Sequence, residues 1–432
     1  MSYVKKHPLF ILFFLGFLLR LVLMFVDFSF DVHNHISWAQ DLWNRGPSNF
    51  YLTPSKEVYA TLYPNYPPFA LYIFYVTYPI TQILYDICWW LNLHVPLFPS
   101  KLIFIIQERY FLAGIMKLPG IFADMGIAWM GYLFAKRLMV QHKLDKKVLL
   151  LAPALVLFNP AFFYNSAFWG QIDAIPIFLV LTSTYLAMYS KRYFMSGLLF
   201  VSALLVKPTA IVFLPFYALF FINKFGFVNS VKVFLASNVL FITSFFPLLG
   251  EGSVILNSYK LYFSSILEAQ SLAFVTNSAY NLWAFTRFDG VMDSSIFLLN
   301  LTYRTWGYLF LSIALLIITK SYLKKNNLYY ATFLSAFAFF LFATKMHERY
   351  TLLILPFLLL AALTERKLLK WFYGLSFLSF INLYRSWPVP RVEFLFELLK
   401  SPAVYLALSV INIVIFFHLL TQYSSRMPSK SA

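Results

Sequence analysis

Residues 149–192 read LLLAPALVLFNPAFFYNSAFWGQIDAIPIFLVLTSTYLAMYSKR. Two apolar runs, 149–165 and 174–189, meet at the polar turn Trp169-Gly170-Gln171-Ile172-Asp173, and the second run closes on Lys191-Arg192. Each run approaches the roughly 20 residues that an α-helix needs to cross a bilayer. One connection is basic and the other carries hydrogen-bonding and acidic groups. The pattern predicts a pair of antiparallel spans with one cytoplasmic and one outer turn.

The same alternation extends over the chain. Further apolar runs fall near 9–26, 112–134, 194–207, 209–223, 232–249, 296–319, 329–344, 350–364, 371–384 and 402–421, giving about twelve crossings. With the N-terminus inside, every second linker is basic. These linkers carry Arg137, Lys143, Lys146 and Lys147, then Lys191 and Arg192, Lys224, then Lys320, Lys324 and Lys325, then Arg366, Lys367 and Lys370. The tail adds Arg426 and Lys430. The positive-inside rule is met at each of these turns.

Composition agrees. Of 432 residues, 61% are hydrophobic and 21% aromatic, while 12% are charged, about half the roughly 25% of a soluble domain. Mean hydropathy is +0.71. A soluble protein of this length could not hide that much apolar surface, so the expected fold is an all-α polytopic membrane protein. The net charge of +17 sits between apolar runs and not on a soluble module, so it does not point to nucleic acid. The single cysteine, Cys88, excludes an intrachain disulfide and a cysteine metal site. Lys5 and Lys6 precede a run from Leu9 to Val26 that is long and lacks a small-x-small cleavage site, which predicts an uncleaved first helix.

Counting the apolar segment 69–91 as a crossing would invert every later loop, so it is expected to be interfacial or non-crossing. The first outer loop, 27–111, is then about 85 residues long and should fold against the membrane. The second, 250–295, contains Tyr259, Tyr262, Phe263, Trp283 and Phe285 and is expected to form amphipathic interfacial helices. The chain shows no internal repeat, low-complexity stretch or soluble domain.

Ionisable residues in membranes are costly and usually functional. Asp31 follows the first helix. Lys117 and Asp124, seven apart and so on one face, lie in the outer half of the second. Gln171, Asp173 and Lys207 lie at later outer turns. Lys345, His347, Glu348 and Arg349 lie between the ninth and tenth runs. All fall on one side of the map, which predicts a single outward-opening polar cavity. Plainer readings exist. Asp31 could cap a helix over 36–45. On a strand, Asp31, His33 and His35 would share a face and could ligate a metal. Arg20 could snorkel to headgroups or contact a phosphate. Lys207-Pro208 could merely end a helix. Lys117 and Asp124 could each bond a neighbouring helix. Lys345-Met346-His347-Glu348-Arg349-Tyr350 is no zincin site, because Thr351 stands where the second histidine would be.

Together these stretches resemble the GT-C glycosyltransferases, integral-membrane enzymes that use lipid-phosphate sugars, and within them the prokaryotic mannosyltransferases related to the second mannosyltransferase of GPI-anchor synthesis. The resemblance rests on Asp31, Tyr66-Pro67-Pro68, Lys117-Leu118-Pro119 with Ala123-Asp124, Asn159-Pro160 through Asp173, Lys207-Pro208-Thr209 and Lys345 through Tyr350. It runs to about residue 364, so residues 1–364 would be the catalytic unit and 365–432 motif-free helices with a cytoplasmic tail. His33 and His35 depart from the pattern and leave a divalent metal open.

The resemblance implies a GT-C-like fold and inverting transfer of a hexose, often mannose, from a polyprenyl- or dolichyl-phosphate carrier. The acceptor would be a glycan, lipid or protein at the outer or lumenal face. The setting would be a prokaryotic plasma membrane or, alternatively, the endoplasmic reticulum. Such chemistry needs a carboxylate to take the acceptor's proton, for which Asp31 is the candidate. Positive groups must face the departing phosphate: Arg349, Lys345, His347 and Lys207. Polar groups must hold sugar or acceptor: Gln171, Asp173, Glu348, Tyr66, Lys117 and Asp124. A lipid-linked-sugar transporter or flippase would share the greasy groove but should show two related halves. A glycan polymerase or ligase would transfer a preassembled glycan.

Overall fold

The computed structural model describes residues 7–55, 63–250, 252–268, 273–286 and 290–425. Lys5, Lys6, Arg426 and Lys430, to which the sequence assigns cytoplasmic charge, lie outside the described residues. Within them the chain is a helical bundle with two very short pairs of strands. Six helices are long and apolar enough to cross a membrane: Arg109–His142, Val148–Trp169, Pro208–Phe225, Phe227–Leu248, Tyr303–Lys325 and Pro402–Ser425. Shorter apolar helices follow the same rhythm, at Pro8–Leu23, Ala174–Tyr189, Tyr193–Val206 and Leu328–Phe342. The chain is therefore an integral, multi-pass membrane protein in contact with lipid.

Several elements differ from a reading of apolarity alone. The run 149–165 is one path through the bundle but not one regular helix. Val148–Leu157 ends, Asn159 caps the next turn by accepting from the Ala161 amide at 3.0 Å, and Tyr164–Trp169 winds as a π-helix. Gly170 closes that helix at φ 84°, a left-handed conformation that glycine adopts without a Cβ clash. The run 296–319 splits as well. Ile296–Leu298 pairs antiparallel with Leu301–Thr302 around Leu299 and Asn300, both at positive φ, and the helix starts at Tyr303. Asn300-Leu301-Thr302, an Asn-x-Thr sequon inside the apolar run 296–319, thus belongs to a hairpin and not to a helix. A short apolar stretch has the same composition in either state, so periodicity could not separate them.

The segment 69–91 forms two helices. Pro68–Thr77 buries Ala70, Leu71 and Phe74 in the main core. Ile80–His94 is half-buried to exposed along its length. In the second outer segment, Val254–Leu261 and the π-turn Tyr262–Glu268 are helical, and the described residues beyond them hold a two-residue strand and the short 3-10 helix Leu282–Thr286. Thr276–Asn277 runs parallel to Met346–His347, and Trp283 is buried with its indole donating to the Phe342 carbonyl at 2.8 Å. Trp283 is a core residue in a short 3-10 turn and not part of the amphipathic interfacial helix expected there. Arg20 does not snorkel either. It is fully buried, 2.9 Å from Asp124.

Candidate functional site

A cavity of about 810 Å³ opens where helix ends and connections meet. Asp31, His35 and Trp38 reach it from the helix Phe30–Arg45, and Tyr66 from the loop before Pro68. Trp169 comes from the end of the π-helix, Lys207 from the break after Val206, and His347, Glu348, Arg349 and Tyr350 from the turn beyond Phe342.

Asp31 sits inside the first turn of its helix, and the N-cap is Ser29. The capping reading of Asp31 is therefore replaced by another contact: Trp169 Nε1 donates to Asp31 Oδ2 at 2.8 Å. The segment is helical, so Asp31 and His35 lie one turn apart on one face, and His33 turns away. His33 packs against Phe28 and lies 2.9 Å from Arg109 Nη2. The alternating strand geometry needed for a three-ligand metal site is not formed. Among the described residues no trio of His, Cys, Asp or Glu is placed to hold a metal ion.

Lys207 adopts an extended backbone between a helix ending at Val206 and a turn starting at Pro208. Proline at 208 disfavours continued helix, and the break turns the lysine inward. Its Nζ donates to Asp173 Oδ1 at 2.6 Å and to Gln171 Oε1 at 3.3 Å. The Tyr66 hydroxyl also donates to Gln171 Oε1, at 3.4 Å. The ammonium stands over the Tyr66 and Tyr350 rings, 5.6 and 5.7 Å from their centroids. Such cation–π contact helps hold a charge away from water. Arg349 Nη1 donates to Glu348 Oε1 at 2.9 Å, and its Nε lies 3.9 Å from Asp173 Oδ2. Two cations and two carboxylates thus interlock, and Asp31 adds a third carboxylate on the cavity wall.

Burial pushes the Asp31 carboxyl up, but the Arg349 charge, the Trp169 hydrogen bond, His35 and Lys207 outweigh it and hold the group below its ordinary range. Burial drives His35 down to about 3 against the pull of Asp31, with Lys207 and Arg349 adding to the fall. Burial and the Arg349 charge likewise hold His347 well below the usual imidazole range. At neutral pH the site therefore offers an ionised carboxylate beside neutral imidazoles and the Arg349 guanidinium.

The structure brings Asp31, Tyr66, Gln171, Asp173, Lys207, His347, Glu348 and Arg349 together. It does not bring Lys345, Lys117 or Asp124 to the cavity. Lys345 Nζ donates to the Glu268 carbonyl at 2.8 Å and lies 3.8 Å from Asp293. Asp124 binds Arg20 and accepts from Ser166 Oγ at 2.6 Å. Lys117 donates to backbone carbonyls inside the bundle.

Arg385, Ser386, Phe396 and Lys400 also line the cavity and were not legible as site residues. They belong to the C-terminal stretch that carries no motif. The one signal there was the short helix Glu393–Lys400, whose sequence EFLFELLK is strongly amphipathic. Residues between 385 and 400 thus line the same cavity as Asp31, Lys207 and Arg349. No family model matches the chain, and none of the curated proteins does.

Proposed function

We propose that this protein is a membrane glycosyltransferase of the GT-C type, moving a hexose, with mannose the first candidate, from a polyprenyl- or dolichyl-phosphate to an acceptor with inversion. The transfer takes place at the extracytoplasmic or lumenal face. In this reading the chain crosses the membrane twelve times, the six long helices and four shorter apolar ones being joined by 350–364 and Leu369–Ser386.

The observation that carries the proposal is the Asp31 carboxylate, fixed by the Trp169 indole in a cavity that also holds buried Arg349. A hydroxyl bound near Asp31 loses its proton to that carboxylate as it attacks the anomeric carbon. The bond from that carbon to the phosphate oxygen breaks as the new glycosidic bond forms. The departing phosphate takes the electron pair, and Arg349 with Lys207 stabilises its charge. Tyr66, Trp38 and Trp169 supply aromatic faces for a sugar ring, and Glu348 supplies a hydrogen-bond acceptor. The cations are already neutralised in part by Glu348 and Asp173, so they are held in place before substrate arrives.

The test is transfer from radiolabelled polyprenyl-phosphate mannose, by purified protein in detergent, onto a panel of glycan, lipid and peptide acceptors. Label in an acceptor that depends on Asp31 supports the reading. Movement of intact lipid-linked sugar across vesicles, without glycosidic bond exchange, replaces it with a flippase.

A further inference from the structure

Lys117 is buried in the long helix Arg109–His142, yet it forms no salt bridge among the described residues. Its ammonium instead donates to backbone carbonyls of two separate segments. Met24 (2.9 Å) and Asp27 belong to the end of the first helix and the chain leaving it. Ala167 and Phe168 (both 2.9 Å) belong to the last turn of the π-helix. The first segment reaches Asp31 four residues after Asp27, and the second reaches Trp169 in the next residue. These are the two side chains joined at 2.8 Å on the cavity wall.

A second contact reinforces the bridge. A Cβ at Gly170 would overlap Val32 and press on the Lys117 stem, 3.1 Å from Cγ and 3.2 Å from Cε. Lys117 therefore packs beneath the residue after Trp169, beside the residue after Asp31. The Ser29 amide closes the same junction by donating to the Trp169 carbonyl at 3.4 Å. A mere space-filling side chain would not need an ammonium with its donors directed at both segments. A buried charge persists where every donor finds an acceptor.

We propose that Lys117 is a positioning residue: one buried ammonium cross-ties the backbone before Asp31 to the backbone before Trp169 and so fixes the carboxylate–indole pair. The tie itself rests on geometry alone; its catalytic consequence rests on the glycosyltransferase reading. Removing the ammonium lets the two segments part and turns the Asp31 carboxylate away from its working direction. Lys117 never touches substrate.

The experiment has two arms. The first does not depend on function. Protein labelled with 5-fluorotryptophan carries ten fluorines, and Trp169→Phe identifies the Trp169 resonance in the fluorine spectrum. Lys117→Met shifts or broadens that resonance, Asp31→Asn shifts it too, and Lys345→Met leaves it in place. Should Lys117→Met not yield monodisperse protein, Lys117→Gln removes the ammonium at the same position with a polar side chain and reads the same resonance. A Trp169 signal unmoved by the purified variant overturns the proposal. The second arm is sugar transfer. Lys117→Met lowers kcat about 100-fold through a misplaced carboxylate, with the KM for the lipid donor little changed. A rise in donor KM at constant kcat would make Lys117 part of donor binding and overturn the positioning role. If wild-type protein transfers no sugar while the fluorine arm succeeds, the functional reading fails and the cross-tie stands.

Discussion

The Arg20–Asp124 pair is the sharpest test of how the bundle is held. Both side chains are fully buried, with Nε and Oδ2 2.9 Å apart. Arg20 also donates to the Gly16 and Leu157 carbonyls at 3.0 and 2.8 Å, and Ser166 Oγ donates to Asp124 at 2.6 Å. The pair therefore links the first helix, the long helix and the π-helix. Asp124→Leu leaves a guanidinium with carbonyl partners but no counter-charge, and Arg20→Met leaves a carboxylate with one hydroxyl. Each single change should cost about 3–5 kcal/mol, the usual effect of orphaning one member of a buried pair. Arg20 Nη2 and Asp124 Oδ1 find no partner among the described residues. The pair is thus short of full hydrogen bonding, and the desolvation of both charges is incompletely offset. The double variant Arg20→Met/Asp124→Leu should consequently regain most of the loss, ending within about 2 kcal/mol of the parent. Unfolding in mixed micelles of rising SDS fraction, followed by tryptophan fluorescence and circular dichroism, measures all four corners of the cycle. A double variant as destabilised as the sum of the singles would mean that the two charges act independently and that no coupled pair holds these helices.

Further outcomes follow from the site. Asp31→Asn should lower sugar transfer by at least about 100-fold, as loss of a general base does, while the protein remains monodisperse in detergent; near-normal turnover would remove Asp31 from that role. Arg349→Ala should weaken binding of the lipid-phosphate donor more than binding of the acceptor, measured by competition with unlabelled polyprenyl phosphate; equal loss of both would point to a structural role. His35 titrates near 3 in the folded protein against 6.5 ordinarily. The unfolded chain therefore takes up a proton first on acidification, and the stability associated with neutral His35 is present above pH 6.5 and lost as pH falls from there toward 3. The slope is about 1.4 kcal/mol per pH unit for one such group. His35→Phe should flatten the loss of stability between pH 6 and 5 by about that much, and parallel curves for the two proteins would exclude His35 as the cause.

Much of the architecture is legible in the residue string. Spans such as 174–189, 209–223 and 402–421 fall within a few residues of helices Ala174–Tyr189, Pro208–Phe225 and Pro402–Ser425. The reason is local: in lipid a backbone must satisfy its own hydrogen bonds, so a long apolar run has helix as its main option. Where apolar residues sit in a connection instead, as at Ile296–Leu298 or Trp283, that rule loses its grip. Hairpin and buried 3-10 turn then depend on what packs against them.

Which stretches carry the rare polar residues is likewise a property of the residue string alone. Asp31, Trp169, Lys207 and the 345–350 cluster stand out against an apolar background, because charge in a membrane protein is kept only where something requires it. Their individual fates were decided by tertiary structure. Asp31 meets Trp169 across 138 residues, and Arg20 meets Asp124 across 104. Lys345 turns to Glu268 and Asp293 while Arg349, four residues on, turns into the cavity. Arg385 and Lys400 join the cavity wall from a stretch without a motif. A side chain's type is a local property, but its partner is set by which helix ends the packed bundle brings together. For a buried charge, the partner decides whether it braces the fold or faces the cavity.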